Sequence, residues 1–167
     1  MLETFLMNGH FSRFTTDKLL EFLKHLNMKV TIERINDDYL MEAKGASGVP
    51  VLMDNSTIDN VQGTSPMELL LMGVGGCSAI DIIYILKKQR QIIESYSVEI
   101  EGETQEVLEA KPFKAMTLKI YLKGDIPADK VKRAATLSFE KYCSVSITMQ
   151  TSVEIKYQLF LNGEQIL

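Results

Sequence analysis

The sequence is poor in cysteine, and this scarcity argues against two classes of protein. Only Cys77 and Cys143 occur among 167 residues, which is too few for the disulfide framework of a small secreted domain. The histidines, His10 and His25, are distant from both cysteines and show none of the spacings of a zinc motif. We therefore expect neither a disulfide scaffold nor a metal site.

The sequence also lacks an excess of basic residues and a long apolar run. Lysine and arginine together number 18 against 22 acidic residues, a net charge of −4, so nucleic acid is not an expected partner. The apolar stretch 69–74 is far shorter than the roughly 18–20 residues of a bilayer span, and Glu68 and Asp81 flank it. The N-terminus has no basic segment followed by a small-residue cleavage site. These absences predict a cytoplasmic protein with no membrane partner.

Residues 1–27 differ in pattern from the rest of the chain. Thr15, Thr16 and Asp17 are suited to capping a helix whose apolar positions continue to Leu26. We interpret this segment either as an N-terminal helical extension that packs on the domain or as a stretch upstream of an alternative start at Met28. Residues 28–167 then form a single domain, which suits their number.

The remaining patterns predict an α+β protein. Alternating residues indicate three strands near 29–35, 39–43 and 49–53, a strand pair at 95–107 and 113–123, and a last strand at 153–160. A long helix is expected from Ser65 to about Arg90, and a second one over 130–141. Helices and strands in this order are typical of α+β rather than α/β proteins.

The long helix has clear start signals and an unusual composition. Ser65 suits the N-cap, Pro66 the first helical position, and Glu68 completes a capping box with Ser65. Within the helix, each glycine costs about 1 kcal/mol relative to alanine. Close approach of another backbone, or of a substrate, would explain why this helix contains Gly73, Gly75 and Gly76.

The two thiols are the candidates for chemistry, although a free cysteine is more often a small buried hydrophobic residue. A nucleophilic cysteine must reach the thiolate state, which nearby N–H groups or cations favour. If Cys143 opens a new helical turn through Ser146, N–H groups point at its sulfur. Cys77 has no such help from its own helix. Asp81, one turn later on the same face, disfavours a thiolate there unless a cation pairs with it.

The two cysteine segments resemble a known pair of motifs. Ser65–Glu68 with Gly75–Asp81, and Glu140–Val145, are similar to the cysteine motifs of the OsmC/Ohr family of osmotically inducible and organic hydroperoxide resistance proteins, in particular of its YhfA-type branch. The resemblance extends over about residues 28–160. It implies an OsmC-like fold, with antiparallel sheets around a long central helix, and an intertwined homodimer with active sites at the subunit interface.

The resemblance also implies an enzymatic activity, that of a cysteine-based peroxidase acting on organic hydroperoxides. By matching position, Cys77 attacks the peroxide and becomes a sulfenic acid, and Cys143 resolves it as a disulfide. An external dithiol or lipoyl-type reductant then restores the thiols, so no bound cofactor is expected.

The chain departs from the family pattern around these thiols. Members carry a Glu ten residues before the first cysteine, where this chain has Met67, and an Arg in the first hairpin, where Arg34 is the only arginine. Glu68 and Arg34 are therefore tentative supporting residues. Nine residues place Glu68 about 180° from Cys77 on a helix, which favours a capping role for it. Arg34 fits an exposed strand position. A proline that often follows the second cysteine is Ser144 here.

Two other functions are consistent with the same residues. One is a non-catalytic dimeric binding protein whose apolar interface cleft holds a lipid-like or aromatic ligand, because the methionine-rich helix suits an adaptable pocket. The other is thiol–disulfide exchange without peroxide activity. Sulfur atoms within about 4 Å, or easily brought to bonding distance, favour redox chemistry over binding.

Overall fold

The computed structural model describes residues 28–167, so the predicted helical extension of residues 1–27 lies outside the described residues. The chain divides into two compact units, one ending at Ser65 and the other spanning Pro66–Leu167. The α+β class is confirmed by the order of elements, which is β1 (Thr31–Arg34), β2 (Met41–Lys44), β3 (Pro50–Met53), α1 (Pro66–Lys88), β4 (Ser95–Thr104), β5 (Phe113–Lys123), α2 (Ala128–Leu137), a π-helical turn (Ser138–Tyr142), α3 (Ser144–Met149), β6 (Glu154–Leu161) and β7 (Glu164–Gln165).

The first unit contains a three-stranded antiparallel sheet in the order β1-β2-β3. The turn between β1 and β2 depends on Asn36, whose side-chain oxygen accepts the N–H groups of Asp38 and Leu40 at 2.9 and 3.1 Å. This is the local bonding that makes asparagine common in turns. The three strands lie within two residues of their predicted bounds, and each is shorter than its alternating pattern.

The second unit contains a four-stranded sheet in the order β4-β5-β6-β7. The pair β4–β5 is antiparallel, as expected. The unpredicted strand β7 pairs antiparallel with β6, whereas β5 and β6 are parallel. Parallel neighbours require a long crossover connection, which α2, the π-helical turn and α3 supply. The central strand β5 alternates between buried and less buried side chains, and its buried residues form much of the core (Phe113, Met116, Leu118, Ile120, Leu122).

Helix α1 begins at the predicted position and ends two residues before the predicted Arg90. One face is buried, including Val74 and Ile82, and the helix packs against β4. A Cβ atom at Gly75 would lie 3.6 Å from the Val98 side chain, and one at Gly76 would meet nothing within 4 Å. Close approach of a backbone within the described chain therefore does not explain these two glycines, and close approach of a second copy or of a substrate remains a prediction.

Helix α1 is long and apolar enough to cross a membrane by length and composition, with a mean hydropathy of 2.0 over an 18-residue window. The sequence argument against a membrane span considered only uninterrupted apolar runs, so it did not detect this helix. The core helix of a globular domain can have the same composition, and the buried face of α1 belongs to the core around β5.

The connection between β5 and β6 contains an irregular turn that positions the second cysteine. Helix α2 ends at Leu137, and the chain then widens into the π-helical turn, in which the Cys143 N–H donates to the Ser138 carbonyl at 2.8 Å. Turns of this type are rare and frequently occur at functional sites. A continuous helix was predicted over 130–141, and the break after Leu137 was not foreseen.

Candidate functional site, a thiol pair with a carboxylate

The fold brings the two cysteines together, although 66 residues separate them in the sequence. Cys77 lies on α1, and Cys143 lies between the π-helical turn and α3. The two sulfur atoms and a carboxylate oxygen of Asp81 all lie within 4.8 Å of one another. Both cysteines are free thiols. A disulfide needs a sulfur separation of about 2 Å, so a modest movement of either side chain could join the two.

Cys143 is the N-cap residue of α3, as the sequence predicted. Its sulfur accepts the Ser146 N–H at 3.4 Å and the Ser146 hydroxyl at 3.0 Å. The predicted N–H contact is therefore confirmed. The hydroxyl contact was missed, although its signal was available, because the third helical position is the one whose N–H and side chain reach the cap.

Burial dominates the acidity of Cys143, whose side chain is completely buried. Burial raises the pKa of the Cys143 thiol because it disfavours the charged form. The two bonds from Ser146 act in the opposite direction, and the neighbouring Cys77 raises the pKa further. At neutral pH, Cys143 is therefore a protonated thiol.

Cys77 is the more accessible of the two sulfurs. Its side chain is only partly buried, the adjacent Gly76 is exposed, and no atom of residues 28–167 beyond its own stretch of helix lies within 4 Å of where a side chain on Gly76 would extend. Of the two cysteines, Cys77 is therefore the one that a small molecule can reach from outside.

Asp81 is fixed near both sulfurs by a contact from the π-helical turn. The hydroxyl of Ser138, which is buried, donates to the Asp81 carboxylate at 3.3 Å. Asp81 lies one turn after Cys77, as the spacing predicted, and is partly buried. Ser138 carried no signal in the sequence, because its position depends on how the π-helical turn packs against α1.

Glu68, one of the two candidate supporting residues, is not part of this cluster. Glu68 is exposed in the first turn of α1, where an acidic residue favours the positive end of the helix dipole. It also lies about 180° around the helix from Cys77. Arg34 ends β1 and is exposed in the first compact unit. Their proposed support of the thiols remains a prediction.

Comparison with known proteins identifies sequence relatives. Residues 58–158 match the family described as OsmC-like protein. The protein YhfA of Escherichia coli K12 is 39% identical over 115 residues, which cover 68% of this chain and 84% of YhfA.

Solved structures share the fold over most of the chain. A hypothetical protein from Aquifex aeolicus is 27% identical with a TM-score of 0.69, covering 81% of this chain and 98% of that one. An organic hydroperoxide resistance protein OsmC from Legionella pneumophila is 16% identical with a TM-score of 0.60, covering 80% and 96% of the two chains. The second likeness is one of fold alone.

Proposed function

Because the chain belongs to the OsmC-like protein family, we propose that it is a thiol-dependent peroxidase that reduces organic hydroperoxides through Cys77 and Cys143. The observation that carries the proposal is the approach of the two sulfur atoms to within 4.8 Å, one of them accessible and the other buried. The resemblance of the two cysteine motifs suggests the substrate class, and a protein of the same fold from Legionella pneumophila is described as an organic hydroperoxide resistance protein.

In the first step, the accessible Cys77 thiolate attacks the outer oxygen of the hydroperoxide. The O–O bond breaks, the sulfur is oxidised to a sulfenic acid, and the leaving alkoxide takes a proton to become an alcohol. Cys143 is unsuited to this step because it is buried and its pKa is raised.

In the second step, Cys143 attacks the Cys77 sulfenic acid and displaces its oxygen as water, giving a disulfide. Oxidation of Cys77 to a neutral sulfenic acid removes a negative charge that raises the pKa of Cys143. The bonds from Ser146 then stabilise the new thiolate. The chemistry of the first step thus prepares Cys143 for the second.

The proposal includes a second copy of the chain and an external reductant. Ile80 and Tyr84, three and seven residues after Cys77, continue its face of α1, and they are 70% and 57% exposed. A second copy covering this apolar face would form the homodimer and enclose the thiol site. An external dithiol or lipoyl-type reductant returns the disulfide to thiols, which places the cycle in a reducing compartment such as the cytoplasm.

The proximity of the sulfurs favours redox chemistry over the alternative of a binding protein with an apolar cleft. Thiol–disulfide exchange needs the same pair, so an experiment must separate it from peroxide reduction. Disulfide exchange would oxidise the pair with a small disulfide such as oxidised glutathione, but not with a hydroperoxide.

The test is the consumption of cumene hydroperoxide by the reduced full-length protein, with dihydrolipoamide as the reductant. We expect turnover in the wild type and in Ser144→Ala, an exposed serine beside Cys143, and none in Cys77→Ser. Intact-mass analysis after one equivalent of peroxide should show an intramolecular disulfide. No peroxide loss in the wild type, or equal loss in Cys77→Ser, would remove the peroxidase proposal.

A further inference from the structure

We propose that the reduced site also binds a thiophilic divalent cation, Zn²⁺, with Cys77, Cys143 and Asp81 as its three protein ligands. The observation is that one ligand atom from each residue lies within 4.8 Å of the other two. Sequence spacing contains no zinc motif, because the donors come from α1 and from the distant start of α3. The fold assembles them.

The geometry requires only a small contraction of the site. Zinc binds sulfur at about 2.3 Å and carboxylate oxygen at about 2.0–2.2 Å in a tetrahedron, which places neighbouring ligand atoms about 3.5–3.8 Å apart. The atoms lie within 4.8 Å before any metal enters. Cys77 and Asp81 are four residues apart on one helix, so they face the same side.

The chemistry of the donor set selects the metal class. Two thiolates favour zinc and other soft ions over magnesium or calcium, which take oxygen ligands. Three protein ligands leave the fourth position to water, which is the arrangement of open rather than closed zinc sites. Binding displaces the two thiol protons, and the metal charge then offsets two of the three negative charges on the thiolates and the carboxylate.

Two neighbouring side chains support the ligands. Ser138 donates to Asp81 at 3.3 Å, and the Ser146 hydroxyl donates to the Cys143 sulfur at 3.0 Å. Hydrogen bonds of this kind orient metal ligands and commonly contribute a factor of about 10–100 to affinity. Two of the three ligands are therefore held in place by hydrogen bonds from neighbouring side chains.

Metal binding and disulfide formation exclude each other, because both use the same sulfur electrons. The cation would hold the reduced pair closed to peroxide, and oxidation by a hydroperoxide would release it. Two thiolates bound to the zinc ion, one hydroperoxide and two protons give a disulfide, an alcohol, water and the free zinc ion. The binding itself does not depend on the peroxidase proposal.

The test is a zinc titration of the reduced full-length protein against a chromophoric chelator, with Cd²⁺ as a second probe whose thiolate charge-transfer absorption reports sulfur ligation. We expect one ion per chain. Cys77→Ser and Cys143→Ser should each lower the zinc affinity by more than about 100-fold, because each variant removes a ligand. Ser138→Ala should lower the zinc affinity by about 10- to 100-fold, as expected for a residue that supports a ligand. Asp81→Asn should weaken binding at least as much as Ser138→Ala. Asp125→Asn, an exposed carboxylate outside the cluster, should bind as the wild type does.

Several outcomes would overturn the proposal. Undiminished binding in either cysteine variant would place the ion elsewhere in the chain, for example at His10 or His25. Undiminished zinc binding in Asp81→Asn would show that the carboxylate is not a ligand. Equal zinc affinity of the oxidised, disulfide-bonded protein would show that neither sulfur is a ligand. Circular dichroism verifies folding of each variant. A protein that binds zinc but consumes no peroxide would overturn only the proposed function.

Discussion

The two cysteines of one pair occupy opposite surroundings. Cys77 lies in the middle of a long helix, partly exposed and beside a glycine with open space. Cys143 lies at the start of a short helix, fully buried, with two hydrogen bonds to its sulfur. In the proposed cycle, access therefore decides which thiol reacts first, whereas hydrogen bonding decides which thiol is prepared to react second.

The largest expected effect concerns which of the two cysteines reacts with the hydroperoxide. In Cys143→Ser, we expect one equivalent of cumene hydroperoxide to leave a sulfenic acid on Cys77, because no thiol remains to resolve it. In Cys77→Ser, we expect no sulfenic acid on Cys143. Dimedone labelling followed by peptide mass spectrometry measures both outcomes, and labelling of Cys143 but not Cys77 would reverse the assignment.

A smaller effect should separate the role of hydrogen bonding at Cys143 from the role of solvent access at Cys77. Ser146→Ala removes the hydroxyl bond that lowers the pKa of Cys143, and bonds to a charged group contribute about 1.5–3 kcal/mol. Because the N–H bond remains, we expect about tenfold slower disulfide formation, with unchanged sulfenic acid formation on Cys77. Stopped-flow kinetics of both steps measure this effect. Ser144→Ala is the matched control, and an equal slowing there would show that the Ser146 hydroxyl has no special role.

The acidity of Cys143 should also appear in the stability of the reduced protein. A raised pKa in the folded state stabilises folding fully below the ordinary thiol pKa of about 8.5. This contribution is lost as the pH rises through the higher folded pKa. Urea unfolding under reducing conditions from about pH 7 to pH 10 should therefore show a steeper decline in the wild type than in Cys143→Ser. Parallel declines would contradict the burial effect, and Cys77→Ser should retain most of the steepness because burial is the larger cause.

The smallest expected effect concerns the open space beside Cys77. A Cβ atom at Gly76 meets nothing within 4 Å, so Gly76→Ala should increase the free energy of unfolding by about 1 kcal/mol through helix propensity. Oxidation by hydrogen peroxide should be unchanged, whereas the bulkier cumene hydroperoxide should react more slowly if it occupies this space. Gly75→Ala, which faces Val98, is the control. If Gly76→Ala reacts with cumene hydroperoxide as fast as the wild type does, the substrate does not occupy the space beside Cys77.

The sequence predicted the regular elements because their signals are local. Strand β5 is recovered with its observed bounds, and α1 begins where Ser65 and Pro66 indicate. The parallel pairing of β5 with β6 was not predicted, because alternation within one strand contains no information on its neighbour. The short β7 was also missed, since two residues make no pattern.

The site was predictable in its cysteines and less so in their surroundings. Cys77 and Cys143 were named through a resemblance, and their spacing alone could not have joined them. Asp81 was recognised because four residues on a helix fix a common face. Ser138 was unpredictable, because its contact with Asp81 depends on the packing of two elements that are 57 residues apart.

The wide turn before Cys143 has a mechanical consequence for the proposed cycle. Sulfur atoms within 4.8 Å must come to about 2 Å in a disulfide, and α1 is a regular helix whose side chains Val74, Ile82 and Leu86 belong to the core. A π-helical turn can tighten toward ordinary helical winding at low cost, because its backbone bonding is already irregular. We therefore expect oxidation to rewind residues 138–142 and carry the second sulfur forward, while the helix that holds the first stays still.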